Sequence, residues 1–276
     1  MAEEYTQLAP YDHIIERPDM YGGQPDLILK KYWYCDNLFN IDYGDLKISA
    51  LAFKLFDEIL VNASDEVRKL NNRNVKILIE HDEKTNIFSI TNTGSYIKIV
   101  DKTAISGEVM KLPQFLFGEL NTSSNYNRND DVSNFNGGMN GIGAKLTNIF
   151  SKLFTVETSD GKTKYTQTWT NRMSNVNPPI IEKISSGGNR EQYVKITFDI
   201  LWEKVDMKDN PDAIADYVSV CRARAVQTNL QVNCVYWNGT NINSKFQTGR
   251  DFITQFLGNV PIIEVGKVES KFDWKV

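Results

Sequence analysis

Residues 49–70, SALAFKLFDEILVNASDEVRKL, carry the strongest periodicity in the chain. Leu51, Leu55, Ile59, Ala63 and Val67 recur every four residues, and Phe56 and Leu60 widen the stripe. That spacing predicts an amphipathic helix with one face in a core, ended by Asn71 and Asn72. Glu58 and Asn62 are four apart and Asp65 follows three later, so the three stack on one helix face, beside the apolar stripe rather than opposite it. Taken alone, the pattern fits a solvated polar edge. The functional alternative is a carboxylate that polarises a water, next to an amide oxygen that ligates a hard cation such as Mg²⁺.

Working outward, Val75–Glu80 and Ile87–Asn92 predict two strands joined by a hairpin around Asp82–Asn86. Toward the N-terminus, Tyr5–Gln24 is polar and turn-rich, with breakers at Arg17-Pro18-Asp19 and Gly22-Gly23, and predicts an arm leading into a short helix and a loop. Thr93–Asn136 is long and weakly patterned, and its end, Asn121–Asn136, is rich in Asn, Ser and Asp; such loops are commonly lids or disordered. Gly137–Gly143 then runs into a helix expected over Ala144–Phe150. Strands are expected at Phe154–Thr158, Tyr165–Trp169 and Tyr193–Phe198, with Asp160-Gly161 as a hairpin turn. A helix is expected at Asp212–Gln227, a strand at Leu230–Trp237 with a turn at Asn238-Gly239, and the opening of a further sheet at Ile262–Val276. This order implies an α+β fold, helices packed on one face of a mixed, mostly antiparallel sheet.

The 276 residues are 41% hydrophobic and 24% charged, ordinary for a globular protein with a sizeable core. No apolar run approaches the roughly 18 residues of a membrane helix, and Met1–Pro10 lacks the basic-then-apolar pattern of a secretory signal. Cys35, Cys221 and Cys234 are odd in number and without metal-ligand spacing, which reads as free thiols in a reducing compartment. The two histidines do not make a conventional zinc site by themselves, and a net charge of -4 argues against binding nucleic acid by bulk electrostatics.

Three further segments bear chemistry. Asn92-Thr93-Gly94 ends a strand with a small polar side chain and a glycine, a combination that suits either the polar edge of a flat ring or a plain turn. Asn121–Tyr126 (NTSSNY) offers hydroxyls and amides to phosphate or ribose, as would any hydrophilic loop. In Gly137–Lys145 four glycines free the backbone to curl, so that N–H groups cradle an anion at the start of the next helix. Lys145, in the first turn, opposes the helix dipole and makes most sense with an anion nearby. The spacing is neither the Walker A pattern nor G-x-G-x-x-G after a strand.

In order, these segments resemble the GHKL ATPase superfamily, and within it the type IIA DNA topoisomerases of eukaryotic and viral type. Phe56–Ala63 (FDEILVNA) resembles the family's N-box helix; Phe117–Tyr126 (FGELNTSSNY) is similar to its FGxLxTSSNY segment; Gly137–Ser151 (GGMNGIGAKLTNIFS) resembles its lid-and-helix motif; and His13–Tyr21 (HIIERPDMY) resembles its HIxxRPxxY segment. Phe154–Thr158 and Gln167-Thr168-Trp169 continue the likeness, which covers residues 5–260. The resemblance implies the GHKL (Bergerat) fold, with an ATPase domain at 1–258, an N-terminal arm at about 1–24, and the start of a transducer domain at 259–276.

It also implies roles. Glu58 would be the general base that activates water, and Asn62 would ligate the Mg²⁺ bridging the phosphates. Asn92 would read the adenine amino group. Ser123, Ser124 and Asn125 would contact ribose and phosphate. Gly138, Met139, Asn140, Gly141, Ile142, Gly143, Ala144 and Lys145 would wrap the triphosphate, and Thr197 would lie beneath the adenine. Tyr5 falls where the family's arm reaches a partner subunit's nucleotide. The implied activity is ATP hydrolysis at the N-gate of an enzyme that passes one DNA duplex through another. Its partners would be ATP, a second copy of the chain when nucleotide is bound, and double-stranded DNA through the full-length enzyme, with no membrane. The setting would be intracellular: nucleus, cytoplasm or viral factory.

Two positions depart from the pattern. Tyr96 replaces the second glycine of the Gly-x-Gly-Ile-Pro turn, which reshapes the adenine pocket, and Met139 stands where eukaryotic members often carry Arg, which points to a divergent, viral member. The Gln-Thr-Lys transducer loop, the DNA-cleaving tyrosine and the acidic metal cluster of the breakage core are not in the sequence, which reads as an ATPase gate cut just into the transducer. The rivals are another GHKL ATPase, a non-catalytic module that senses ATP, and an α+β protein whose glycine loop is structural.

Overall fold

A hydroxyl starts the longest apolar stripe. In the computed structural model, which describes residues 8–70, 74–120, 142–185, 187–188, 190–242 and 254, Ser49 Oγ accepts from Ala52 N–H at 3.1 Å and caps helix α2, Ala50–Leu70. The same Oγ donates to Gln24 O, which also accepts from Leu51 N–H at 3.0 Å. The polar N-terminal segment is thereby tied to the start of the helix. That segment holds α1, Pro10–Glu16, and a 3-10 turn at Pro18–Met20. It ends on Gly22, where an added Cβ would meet Leu51 Cδ1 at 2.5 Å and Leu146 Cδ2 at 2.7 Å.

Residues 25–48 had no assigned pattern, yet they form an antiparallel hairpin, β1 Leu27–Cys35 with β2 Ile41–Ser49. Its strands do not alternate cleanly, because the hairpin leans on helices along only part of its length; Tyr32 meets Phe53 of α2 edge-on at 6.4 Å. The weakly patterned stretch after Thr93 likewise contains short elements: β5 Asp101–Thr103, β6 Val109–Lys111 and α3 Leu112–Gly118. The helix predicted at Ala144–Phe150 is α4, Gly143–Ile149.

The main sheet comprises β3 Ile77–His81, β4 Phe88–Thr93, β7 Ser151–Asp160, β8 Thr163–Thr170, β9 Asn175–Val176, β10 Ile180–Lys183, β11 Gln192–Ile200, β12 Val235–Trp237 and β13 Thr240–Asn241. Its order is β10-β8-β7-β11-β4-β3-β12-β13, with β9 beside β8. Every pairing is antiparallel except β12 with β3. That parallel pair follows from the crossover helix α5, Pro211–Val232. The expected strand at Leu230–Trp237 is corrected here: α5 runs through Val232, Asn233 stops it at φ 54°, and only Val235–Trp237 pair. The turn expected at Asn238-Gly239 is present at φ 45° and 78° after β12, whereas the one expected at Asp160-Gly161 lies one residue further on, at Gly161-Lys162, because Asp160 still belongs to β7; Gly161 has φ 84°.

Paired residues on neighbouring strands share a face. Three rows therefore cross the helix-bearing face. The first is His81, Phe88, Phe198, Phe154 and Trp169; the second is Ile79, Ile90, Ile196, Val156 and Gln167; the third is Ile77, Asn92, Val194, Thr158 and Tyr165. Phe88 centres the core, with Phe56 of α2 at 5.6 Å, Phe198 at 5.8 Å and Tyr217 of α5 at 5.9 Å between ring centres. Helix α2 runs in the same direction as β4: Phe56 meets Phe88, while Leu70 lies by Gly94. The helix rises about 21 Å over that span and the strand about 20 Å, so the two stay in step. The expected opening of another sheet at 262–276, and the boundary expected at 258, lie outside the described residues. Among the described residues no helix is long and apolar enough to cross a membrane, and the three cysteines form no disulfide, with Cys35 and Cys221 buried.

Candidate functional site

The apolar stripe of α2 turns Leu55, Phe56, Ile59 and Leu60 into the core, each no more than 2% exposed. Glu58 is carried to the margin of that buried face. There it meets the start of α4. A Cβ added to Gly143 would lie 1.8 Å from Glu58 Oε2, so this close approach of helix start to carboxylate requires glycine. Thr147 Oγ1 donates to Leu55 O at 2.9 Å and Leu146 is buried, which locks α4 against α2 one turn below Glu58. Lys54 Nζ lies 2.5 Å from Glu58 Oε1, and Arg224 Nε of α5 donates to Asp57 Oδ1 at 2.6 Å. An ion-paired seam thus fixes the outer side of this stretch of α2.

Asn62, one turn beyond Glu58, is half-buried and makes no side-chain hydrogen bond to another described residue. Lys145, the third residue of α4, is only 3% exposed. Burial pushes its ammonium down from the ordinary lysine value to about 8, with the Glu119 carboxylate acting the other way. A buried cation is costly unless an anion stands near it, and the Glu119 carboxylate is one such anion.

Asn92 occupies the polar row at the end of β4 and is 5% exposed; its Nδ2 donates to Ser95 Oγ at 2.8 Å. Thr197 is not brought to this place. It pairs with Ser89 and Thr155, on the sheet face opposite Asn92. Val194 is the residue directly across from Asn92. Strand alternation already held that signal, because Val194, Ile196 and Phe198 are the apolar residues of the segment and Thr197 must point the other way. Thr158, also in the row, was missed as well; its Oγ1 accepts from Ile97 N–H at 2.9 Å. Ser123, Ser124, Asn125, Gly138, Met139, Asn140, Gly141 and Tyr5 lie outside the described residues, as does most of the lid. Ile142, Gly143 and Ala144 lead into and open α4, where the phosphate loop was expected to end.

No family model matches the chain. Curated relatives do. It is 39% identical over 251 residues to DNA topoisomerase 2 of Candida albicans, covering 88% of this chain and 16% of that protein. It is 34% identical over 244 residues to human DNA topoisomerase 2-alpha, covering 87% and 15%. Among solved structures, the ATPase region of Saccharomyces cerevisiae topoisomerase II superposes with a TM-score of 0.79 at 32% identity, covering 92% of this chain and 65% of that one. The chain belongs to the type II DNA topoisomerase family. The ATPase and transducer domains of DNA topoisomerase II from Balamuthia mandrillaris match equally, with a TM-score of 0.78, 33% identity, and coverage of 92% and 64%. Its fold is that of the topoisomerase II ATPase region, the GHKL fold. The chain spans about a sixth of the length of the curated topoisomerases it matches. Those relatives are cellular, fungal and mammalian, and lend no support to the viral origin suggested by Met139.

Proposed function

We propose that this chain binds ATP with Mg²⁺ and hydrolyses it, as the ATP-operated gate of a type II DNA topoisomerase. The observation that carries this is the contact of Glu58 with Gly143 at the start of a helix whose third residue is a buried lysine. A carboxylate held against the start of a helix that carries a desolvated cation suits a general base working next to bound phosphates. Glu58 would take the proton of the attacking water. Lys145 and the amides opening α4 would hold the phosphate oxygens, and expulsion of water would strengthen both interactions.

The residues present fit Mg²⁺. That ion keeps several waters and takes one or two protein oxygens beside substrate phosphates; the Asn62 amide oxygen, a turn from Glu58 and without another described partner, would be one such ligand. Bound there, Mg²⁺ would supply neutralising charge on the phosphates. Asn92 would read the base edge, with Val194 rather than Thr197 beside it. Ser123, Ser124, Asn125 and Gly138–Gly141 would complete the ribose and phosphate contacts.

In the whole enzyme, ATP would close the lid and join two copies through their N-terminal arms, with Tyr5 reaching the partner's nucleotide. Closure would be coupled to the passage of one DNA duplex through another. The ATPase domain would end near 258, with a transducer beginning at 259. The setting would be intracellular, in nucleus or cytoplasm; a viral factory rests on Met139 alone. The test is Glu58→Gln. It should bind a non-hydrolysable ATP analogue as the parent does and lose hydrolysis by at least about a hundredfold. Hydrolysis at the parental rate would overturn the assignment of the base.

A further inference from the structure

Lys54 stands between two carboxylates. From its place on α2 it reaches both Asp57, three residues on, and Glu58, four residues on. Its Nζ lies 2.5 Å from Glu58 Oε1 and 4.0 Å from Asp57 Oδ2. The Asp57 and Glu58 side chains are only 17% and 15% exposed, so neither carboxylate is well hydrated and each needs a cation. The pitch of the helix allows Lys54 either partner, and the choice is made from outside the helix. Arg224 Nε of α5 donates to Asp57 Oδ1 at 2.6 Å, and its Nη1 donates to Thr228 Oγ1, one turn along α5, at 3.2 Å. The charge of Asp57 is thereby answered, and the guanidinium repels a second cation. Lys54 is left to Glu58.

The two oxygens of Glu58 consequently differ. Oε1 meets Lys54, whose side chain is 40% exposed, on the outer side of the helix. Oε2 lies at the head of α4, where a Cβ on Gly143 would come within 1.8 Å of it. Phosphates bound at that helix start would repel a carboxylate, and the rotatable bonds of glutamate would let it turn away into water. A cation on the outer oxygen offsets the repulsion and keeps the rotamer that presents the inner oxygen. Charges alternate along the seam from α5 inward: Arg224, Asp57, Lys54, Glu58.

Resting on the reading of Glu58 as the general base, we propose that Arg224 is a positioning residue for ATP hydrolysis: by occupying Asp57 it keeps Lys54 on Glu58, and Lys54 keeps the base turned to the reacting water. Without Arg224, Asp57 becomes an unanswered, largely buried carboxylate and draws Lys54 across the 4.0 Å gap. Glu58 then loses its holder, although Arg224 sits three contacts away from it on another helix.

Hydrolysis of labelled ATP in Mg²⁺, measured over a range of ATP concentrations well below the melting transition, tests this. Lys54→Met keeps the length of the side chain and loses its charge; the rate at saturating ATP should fall about tenfold, with the half-saturating concentration within about threefold of the parent. Lys54→Arg should keep the parental rate to within about threefold. Arg224→Ala should slow the rate per folded molecule by about fivefold or more, and should slow Lys54→Met no further. Asp57→Asn added to Arg224→Ala removes the competing carboxylate and should return the rate to within about twofold of the parent. A loss of packing alone would leave the rate per folded molecule unchanged and show no such rescue. A parental rate in Lys54→Met or in Arg224→Ala, or no recovery in the chain carrying both Asp57→Asn and Arg224→Ala, overturns the proposal. Parental hydrolysis in Glu58→Gln overturns the reading of the base, and this inference with it; where Glu58→Gln is slow, the other outcomes strike this inference alone.

Discussion

Gly143→Ala separates the chemistry of the site from its folding. The methyl would lie 1.8 Å from Glu58 Oε2 and 2.5 Å from Glu58 Cδ, whereas ordinary contact begins near 3.4 Å. The clashing atoms are the far end of a flexible side chain, so the carboxylate swings away by about 1.5 Å and the backbone stays in place. Folding loses little, because Gly143 is not at a positive φ and replacing such a glycine by alanine stabilises by about 0.4–1 kcal/mol through the unfolded chain, which offsets the displaced contact. Catalysis loses much. A catalytic group misplaced by about 1 Å costs on the order of a hundredfold, or about 2.7 kcal/mol of transition-state stabilisation. Single-turnover hydrolysis of labelled ATP should therefore slow by about a hundredfold or more, with affinity for a non-hydrolysable analogue altered by less than about tenfold and the calorimetric melting temperature within a few degrees of the parent. A rate within threefold of the parent would refute the placement of Glu58 at the reacting water. A large fall in melting temperature would show that the contact serves the fold instead.

Lys145 makes the site pH-dependent. Its value in the fold is about 8, below the 10.5 of a free lysine, so the unfolded chain binds the proton more strongly and stability should rise as pH climbs from about 8 to 10.5. Bound phosphates would raise the value again, so nucleotide binding near pH 8 should take up a proton and weaken as pH rises through 8; titrations in buffers of different ionisation enthalpy measure the uptake, and Lys145→Met should abolish it. The Asp57–Arg224 pair, whose side chains are 17% and 23% exposed, joins α2 to α5. Arg224→Ala leaves Asp57 with Lys54 at 4.0 Å as its one cation among the described residues and should cost about 2–3 kcal/mol, a fall in melting temperature of roughly 5–10 °C by scanning calorimetry.

The helix Ala50–Leu70 was readable because its stripe repeats at the helical period over 21 residues. The strands Phe88–Thr93 and Gln192–Ile200 were readable because they alternate. The hairpin Leu27–Ser49 was not, because its burial depends on what leans against it: Leu29 on one strand is exposed, while Ile48 on the other is fully buried. The short elements between Asp101 and Gly118 are too brief to build a period at all.

The site divides in the same way. Local order alone determined that a carboxylate and an amide share one helix face, that a segment with four glycines runs into a helix bearing a lysine, and that an asparagine ends a strand before a glycine, because each lies within a few residues of chain and follows from the pitch of a helix or the pleat of a strand. Contacts between distant residues were decided only by tertiary packing. Residues 58 and 143 meet because Thr147 anchors α4 to α2. Val194 and not Thr197 faces Asn92 because the register of β11 on β4 assigns every side chain of that strand to one face or the other. Ser95 lies over the Asn92 amide because Gly94 and Ile97 are bonded to strands more than sixty residues further along the chain.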